Sequence, residues 1–225
     1  MRKDRIGNMK LLLTSSGLTN KTICKTLEKL VGKPAKKSKI VYIPTAANVE
    51  DGVKDWLIND LYNLQSQGYA IDIVDISAVD KGIWLPRIKT ADVILFGGGN
   101  TFFLMSWIKK SGLDKLLPDL LKTRIYMGIS AGSMVATKNL RMSTSQKSYA
   151  EKVFPLKGDK GLGFVDFHIR PHLNSVHFPK LRAKFIKEIA KDIPEPVYAI
   201  DDDTAIVVDG KKVSVVSEGE WFKFD

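Results

Sequence analysis

Cysteine is nearly absent from this chain: Cys24 is the only one in 225 residues. One thiol excludes an internal disulfide framework, and the natural compartment is a reducing cytoplasm. Histidine is almost as scarce, with only His168, His172 and His177. Pro171 works against a helical H-x-x-x-H pair, and no carboxylate stands at zinc-motif spacing, so no metal is expected. No run approaches ~20 uninterrupted apolar residues, which excludes a membrane-spanning helix. The basic segment 1–8 has neither a long apolar core nor a small-residue cleavage site. It is expected to be a mobile extension rather than a secretory signal. A G-x-G-x-x-G fingerprint fails at Phe102, and no Gly-Lys-Ser/Thr follows a glycine loop, so dinucleotide and P-loop sites are disfavoured. There is no internal repeat and no linker long enough to divide domains, and one domain over 9–225 is expected.

What is present is an ordinary globular balance, 44% hydrophobic and 27% charged, with a formal charge of +10. Residues 1–40 hold eleven basic residues and two acidic ones, so almost all the excess lies there. Lys21, Lys25 and Lys29 recur at helical spacing among apolar residues, the pattern of a solvated helix face. Nucleic acid is therefore not the expected partner, and the assembly is open between monomer and homodimer.

Apolar runs alternate with amphipathic segments. Strands are expected at Lys10–Thr14, Lys39–Thr45, Ala70–Ile76, Asp92–Phe96 and Ile125–Met127. Helices are expected at Asn20–Val31, Asp51–Gln67 and Thr101–Lys110, with a shorter one ending near Lys122. This alternation predicts an α/β fold with a mostly parallel sheet covered on both faces. From Leu140 the pattern changes. Arg141–Lys157 is polar and irregular, Gly163–Arg170 resembles a strand and Phe178–Asp192 a helix. Short strands then follow at Val197–Ile200, Ala205–Val208, Val213–Val216 and Glu220–Phe224. They predict an antiparallel C-terminal extension of the sheet, with Asp209-Gly210 as a hairpin turn.

Two loops carry chemistry. The fourth strand ends in Gly97-Gly98-Gly99-Asn100-Thr101, and the fifth in Gly128-Ile129-Ser130-Ala131-Gly132. The second is the grammar of a nucleophile elbow, a serine on a tight strand-to-helix turn. By itself it equally describes a helix N-cap. In open α/β sheets sites form beyond the carboxyl ends of the strands, so both loops are expected at one edge. The Ala131 N–H and the triple glycine then offer donors for an oxyanion. An anion-cradling glycine loop is the competing explanation. His172, fixed behind Pro171 at the end of a strand, is the expected base. Glu151, Asp159 and Asp166 lie between Ser130 and His172 as candidates for the acid. Glu151 is preferred because the polar excursion can fold over the sheet edge.

The glycine turn, the Gly-Ile-Ser-Ala-Gly-Ser elbow and Pro171-His172, in this order and spacing, resemble the peptidase E family of aspartyl dipeptidases. The related cyanophycinases share the pattern. The resemblance covers most of the chain, including Ala199-Ile200-Asp201-Asp202-Asp203-Thr204-Ala205. It implies a flavodoxin-like, three-layer domain of the class I glutamine-amidotransferase type, with no cofactor. It implies hydrolysis of short peptides with an N-terminal aspartate, with Ser130 as nucleophile and His172 as base and then acid. Gly98, Gly99 and Ala131 would supply the oxyanion amides, Asn100 and Thr101 would contact substrate, and Arg182 would grip the aspartyl carboxylate. The chain departs from the family in having no acid around Ser145. An amidotransferase would need a cysteine at the elbow and an acid at Asn174. An α/β-hydrolase would carry its histidine nearer the chain end. A β-aspartyl hydrolase of the cyanophycinase kind and a non-catalytic binding module are the alternatives.

Overall fold

The computed structural model describes residues 9–152, 154 and 158–225, apart from the side chain of Met142. The segment 1–8, expected to be mobile, lies outside the described residues, as do 153 and 155–157 of the polar excursion.

Five strands form the parallel centre of the fold: β1 (Lys10–Thr14), β2 (Lys39–Ile43), β3 (Ala70–Ile73), β4 (Val93–Phe96) and β5 (Ile125–Ile129). Those next to the middle are continuous apolar runs because both of their faces are covered. Within β1, successive leucines point in opposite directions. Leu11 and Leu13 join the core beneath α3 (Lys81–Thr90), α4 (Thr101–Lys110), α5 (Leu113–Leu120) and the short α6 (Ala131–Met134). Leu12 joins the core beneath α1 (Lys21–Val31) and α2 (Asp55–Ser66). This is the layered α/β arrangement expected. The helix α3 was not foreseen, for a visible reason: it carries Pro86 and buries only Trp84 and Ile88, so its apolar period is faint.

The C-terminal half departs from the expectation in two ways. Met142–Tyr149, inside the supposedly irregular excursion, is a helix, α7. Its buried residues include Thr144, Ser145 and Ser148, with the Ser145 hydroxyl donating to Glu151 and the Ser148 hydroxyl to the Thr144 carbonyl, so no apolar stripe announces it. Second, the late strands divide between two sheets. After β6 (His168–Arg170) and α8 (Ala183–Ala190) come β7 (Val197–Ile200), β8 (Thr204–Asp209), β9 (Lys212–Ser217) and β10 (Trp221–Phe224). The large sheet has the order β3-β2-β4-β5-β1-β8-β9, with β8 and β9 antiparallel and joined through Asp209-Gly210. The remaining strands form a small sheet, β10-β7-β6.

This division positions the site. β8 runs against β1 with Thr14 opposite Ala205, so its amino end meets the carboxyl ends of β1 and β5. β6 and β7 run parallel with Arg170 opposite Ala199. The segments that leave them, Pro171-His172 and Asp201-Asp202, therefore emerge side by side, tied by Leu173 N–H to the Ile200 carbonyl at 3.0 Å. Among the described residues no helix is long and apolar enough to cross a membrane.

Candidate active site

Ser130 sits between β5 and α6 at φ 48° and ψ −108°, a left-handed backbone that a serine adopts only under constraint. Its N–H donates to the Thr14 carbonyl at 3.1 Å, and Ser133 Oγ donates to the same carbonyl at 2.7 Å. The elbow is thus pinned to the end of β1. Gly132 permits it: a Cβ there would lie 2.0 Å from the Phe96 carbonyl oxygen. The flanking glycine of the motif is a requirement of close backbone approach, as in a nucleophile elbow.

The Ser130 hydroxyl lies 2.9 Å from His172 Nε2, and His172 Nδ1 lies 2.8 Å from Asp202 Oδ1. A carboxylate on Nδ1 fixes the tautomer with its proton there, leaving Nε2 as acceptor for the serine hydroxyl. The ring stacks on Phe178 with centroids 4.6 Å apart. Ser15, in the turn after β1, joins the two partners: its Oγ donates to Asp202 Oδ1 at 2.5 Å and accepts the His172 N–H at 2.8 Å. Burial acts to raise the Asp202 carboxyl. Hydrogen bonds from His172, Ser15 and Ser16, with the imidazolium charge, overcome it and hold the group at about 2.

The carboxylate on the His172 ring is therefore Asp202, and the expectation of Glu151 is corrected. Glu151 accepts the N–H of Thr101 at 2.7 Å and the hydroxyl of Ser145 at 2.7 Å. It serves a buried N–H at the start of α4 that has no intrahelical partner, a position that favours a negative charge. Burial pushes its carboxyl up, against those hydrogen bonds. Asp166 forms an exposed ion pair with Lys138 at 2.5 Å, and the backbone carbonyl of Asp159 accepts Leu140 N–H. Restricting the acid to the interval before His172 caused the error. The run Asp201-Asp202-Asp203 ahead of an apolar strand was the available signal.

Of the other expected site residues, Gly98, Gly99, Thr101 and Ser130 border one cleft, with His172 and Asp202. Gly99 has φ 121°, and a Cβ there would lie 2.3 Å from the Ala46 carbonyl oxygen. The amides on either side of the turn are used, Gly97 N–H by Ile43 and Asn100 N–H by Ala46. Those of Gly98 and Gly99 take no partner among the described residues. Ala131 N–H, at the first position of α6, has no intrahelical partner either. Asn100, expected to touch substrate, does not reach the cleft. It is fully buried and caps α4, accepting Phe102 N–H at 3.1 Å and Phe103 N–H at 3.0 Å. Arg182 also fails to reach it: its Nη1 donates to the carbonyls of Ser175, Phe178 and Leu181. It buttresses the loop that carries Phe178.

The remaining histidines differ. His168 is 2% exposed and lies 3.2 Å from Glu195, its pKa lowered to about 4 by burial and by the Arg170 charge. His177 is exposed on the cleft rim. Among the described residues no group of three His, Cys, Asp or Glu is placed to hold a metal ion.

Comparison with known proteins gives the family. Residues 11–216 match the profile of peptidase family S51. An uncharacterized peptidase from Listeria monocytogenes serovar 1/2a is 31% identical over 77% of this chain and 83% of its own length. Peptidase E from Streptomyces coelicolor is 28% identical over 71% of this chain and 67% of its own. A crystal structure of a candidate peptidase E protein from L. monocytogenes EGD-e superposes with a TM-score of 0.79 and 27% identity, covering 94% of this chain and 99% of that one. A peptidase from an acI-B1 actinobacterium has the same fold, with a TM-score of 0.70, 21% identity, and 96% and 91% of the two chains covered. With the profile matched over nearly its full length, the chain belongs to peptidase family S51 and is a serine-type peptidase.

Proposed function

We propose that this peptidase hydrolyses short peptides through an acyl-enzyme formed on Ser130. The hydrogen-bonded series Ser130–His172–Asp202 carries the proposal. Ser130 Oγ attacks the scissile carbonyl carbon while its proton passes to His172 Nε2. Asp202 holds the ring in register and stabilises the imidazolium. The carbonyl oxygen, now negative, takes hydrogen bonds from the Ala131 amide and the unpartnered amides of the glycine turn; one such donor is typically worth about 3–4 kcal/mol. As the tetrahedral intermediate collapses, the C–N bond breaks and His172 returns the proton to the leaving amine. Water, deprotonated by the same ring, then attacks the acyl ester and releases Ser130.

The cleft has a volume of about 560 Å³, which supports a small substrate rather than a folded chain. The finer expectation of an N-terminal aspartate depends on a cation that would grip its carboxylate. Arg182 is committed to backbone carbonyls, and no lysine or arginine borders the cleft among the described residues. The proposal is accordingly a short-peptide hydrolase without an aspartate requirement. The lone, free Cys24 supports the reducing cytoplasm as its compartment.

The test is turnover of a dipeptide panel that includes Asp-Ala and Leu-Ala by wild type and Ser130→Ala, with covalent labelling of the wild type by a fluorophosphonate. We expect turnover and labelling, both lost in Ser130→Ala. A wild type that neither labels nor cleaves any dipeptide would refute the proposal.

A further inference from the structure

The cleft beside Ser130 is bordered by six carboxylates: Glu50, Asp51, Asp55, Asp60, Glu151 and Asp202. Three are already engaged, Asp202 by His172, Glu151 by Thr101 and Ser145, and Asp51 by an exposed pair with Lys152 at 2.5 Å. The neighbouring Lys54 is turned away, donating to the carbonyls of Glu50 and Gly52. Arg170 is buried within reach of the Glu151 charge, and it does not border the cleft.

Asp60 stands apart from the others. It lies on α2, is only 7% exposed, and still borders the cleft. Its Oδ2 accepts the Tyr42 hydroxyl at 3.1 Å, and its Oδ1 accepts no hydrogen bond from any described residue. A Cβ built on Gly17 would lie 3.4 Å from that oxygen and 3.0 Å from Ile129 Cδ1. The free oxygen is thus close to the residue that precedes Ser130. Burying a carboxylate without a countercharge costs free energy, and a cation entering the cleft would remove that cost. Trp56, 37% exposed, stands one helical turn earlier on α2. A Cβ on Gly98 would lie 3.5 Å from its Cζ3 and 3.6 Å from Ser130 Cβ, so the indole and the serine flank one glycine. Indole faces attract ammonium and guanidinium groups.

We propose that this end of the cleft is a subsite for a cationic group of the peptide, with Asp60 as its deep anion and Trp56 as its aromatic wall. An α-ammonium and a lysine or arginine side chain share the chemistry it recognises, and an aspartyl side chain is disfavoured there. The inference rests on the peptidase reading of the Ser130 cleft.

It is tested by binding in Ser130→Ala, where turnover does not interfere. Calorimetric titrations would use Lys-Ala, Leu-Ala, acetyl-Leu-Ala and Asp-Ala. We expect Lys-Ala to bind more tightly than acetyl-Leu-Ala, which carries no cation. A gap between Lys-Ala and Leu-Ala identifies the side chain as the bound cation. A gap between Leu-Ala and acetyl-Leu-Ala identifies the α-ammonium. Adding Asp60→Asn, which keeps a partner for Tyr42, should weaken the preferred peptide roughly 10- to 100-fold. Trp56→Leu, on the exposed rim, should weaken it about two- to fivefold. Acetyl-Leu-Ala binding as tightly as Lys-Ala, indifference to Asp60→Asn, or no binding of any peptide would overturn the subsite. Labelling of Ser130 without a cation preference refutes the subsite alone, and cation-dependent binding without labelling or turnover refutes the peptidase reading alone.

Discussion

The two walls flanking Ser130 are built on opposite plans. The wall of His172 and Asp202 is knit together within the chain: Ser130, Ser15 and Asp202 bond to one imidazole or its amide at 2.8–2.9 Å, and Ser15 donates to Asp202 at 2.5 Å. The wall of α2 is open. It presents Trp56 and a carboxylate, Asp60, that is buried yet only half satisfied. A preorganised wall suits chemistry that must not reorganise during reaction. An unsatisfied wall suits binding, since its missing partner can be brought by a ligand. The same residue type, aspartate, is drawn down to about 2 on one wall and pushed up to about 7 on the other. On the first, burial is outweighed by donors. On the second, burial prevails over the single Tyr42 hydroxyl.

The strongest test of this contrast compares carboxylates. Asp202→Asn should lower kcat by about 10³- to 10⁴-fold, because an amide on Nδ1 no longer enforces the productive tautomer. Glu151→Gln should retain most of the activity, since it leaves the ring untouched. Steady-state kinetics of the two variants decide, and an equal loss in both would return Glu151 to the chemistry.

The next test is of stability, where the walls should respond with opposite sign. The folded-state pKa of Asp60 is raised, so the folded protein holds a proton that the unfolded chain has released. Its burial therefore lowers stability progressively as pH rises from about 4 through 7. Asp60→Asn should stabilise the protein by about 1–3 kcal/mol at pH 8 and have little effect at pH 4. Asp202 is the reverse case: its depressed pKa contributes stability above about pH 4 that is lost as pH falls toward 2. With 39% of its side chain exposed, that contribution is only about 1 kcal/mol. Urea unfolding across pH measures both, and a destabilised Asp60→Asn at pH 8 would contradict the account of the open wall.

Ser15→Ala should lower turnover far less than Asp202→Asn, about tenfold on kcat, because it removes one donor to Asp202 and one acceptor for the His172 amide. A positioning role predicts recovery with Ser15→Thr and a shifted pH–rate profile in the alanine variant. An unchanged profile would leave Ser15 as a structural turn residue only.

How much of this was legible beforehand depended on range. The strands β1 to β5, the elbow and the glycine turn follow from short stretches whose constraints are local. An apolar run has to be covered on both faces, and Gly132 and Gly99 admit backbone that any Cβ would push away. Pro171-His172 was legible for the same reason, as a backbone-fixed histidine at a strand end. The helices α3 and α7 were not, since Pro86 interrupts one and hydroxyl groups replace apolar packing in the other.

The assignment of partners to these residues was decided only in three dimensions. Asp202 lies 30 positions after the histidine it supports and 187 after Ser15, and no spacing rule relates them. Their meeting needs β8 to run antiparallel against β1 while β6 and β7 pair in a second sheet. Tertiary contacts likewise withdrew Asn100 and Arg182 from the cleft, the first to cap the start of α4 and the second to hold loop carbonyls ahead of α8. By itself the sequence determined that a serine stands on a strand-to-helix elbow in an α/β sheet. Packing decided which acid serves it and which carboxylate remains available to a substrate, because those outcomes depend on which distant groups reach each charge first.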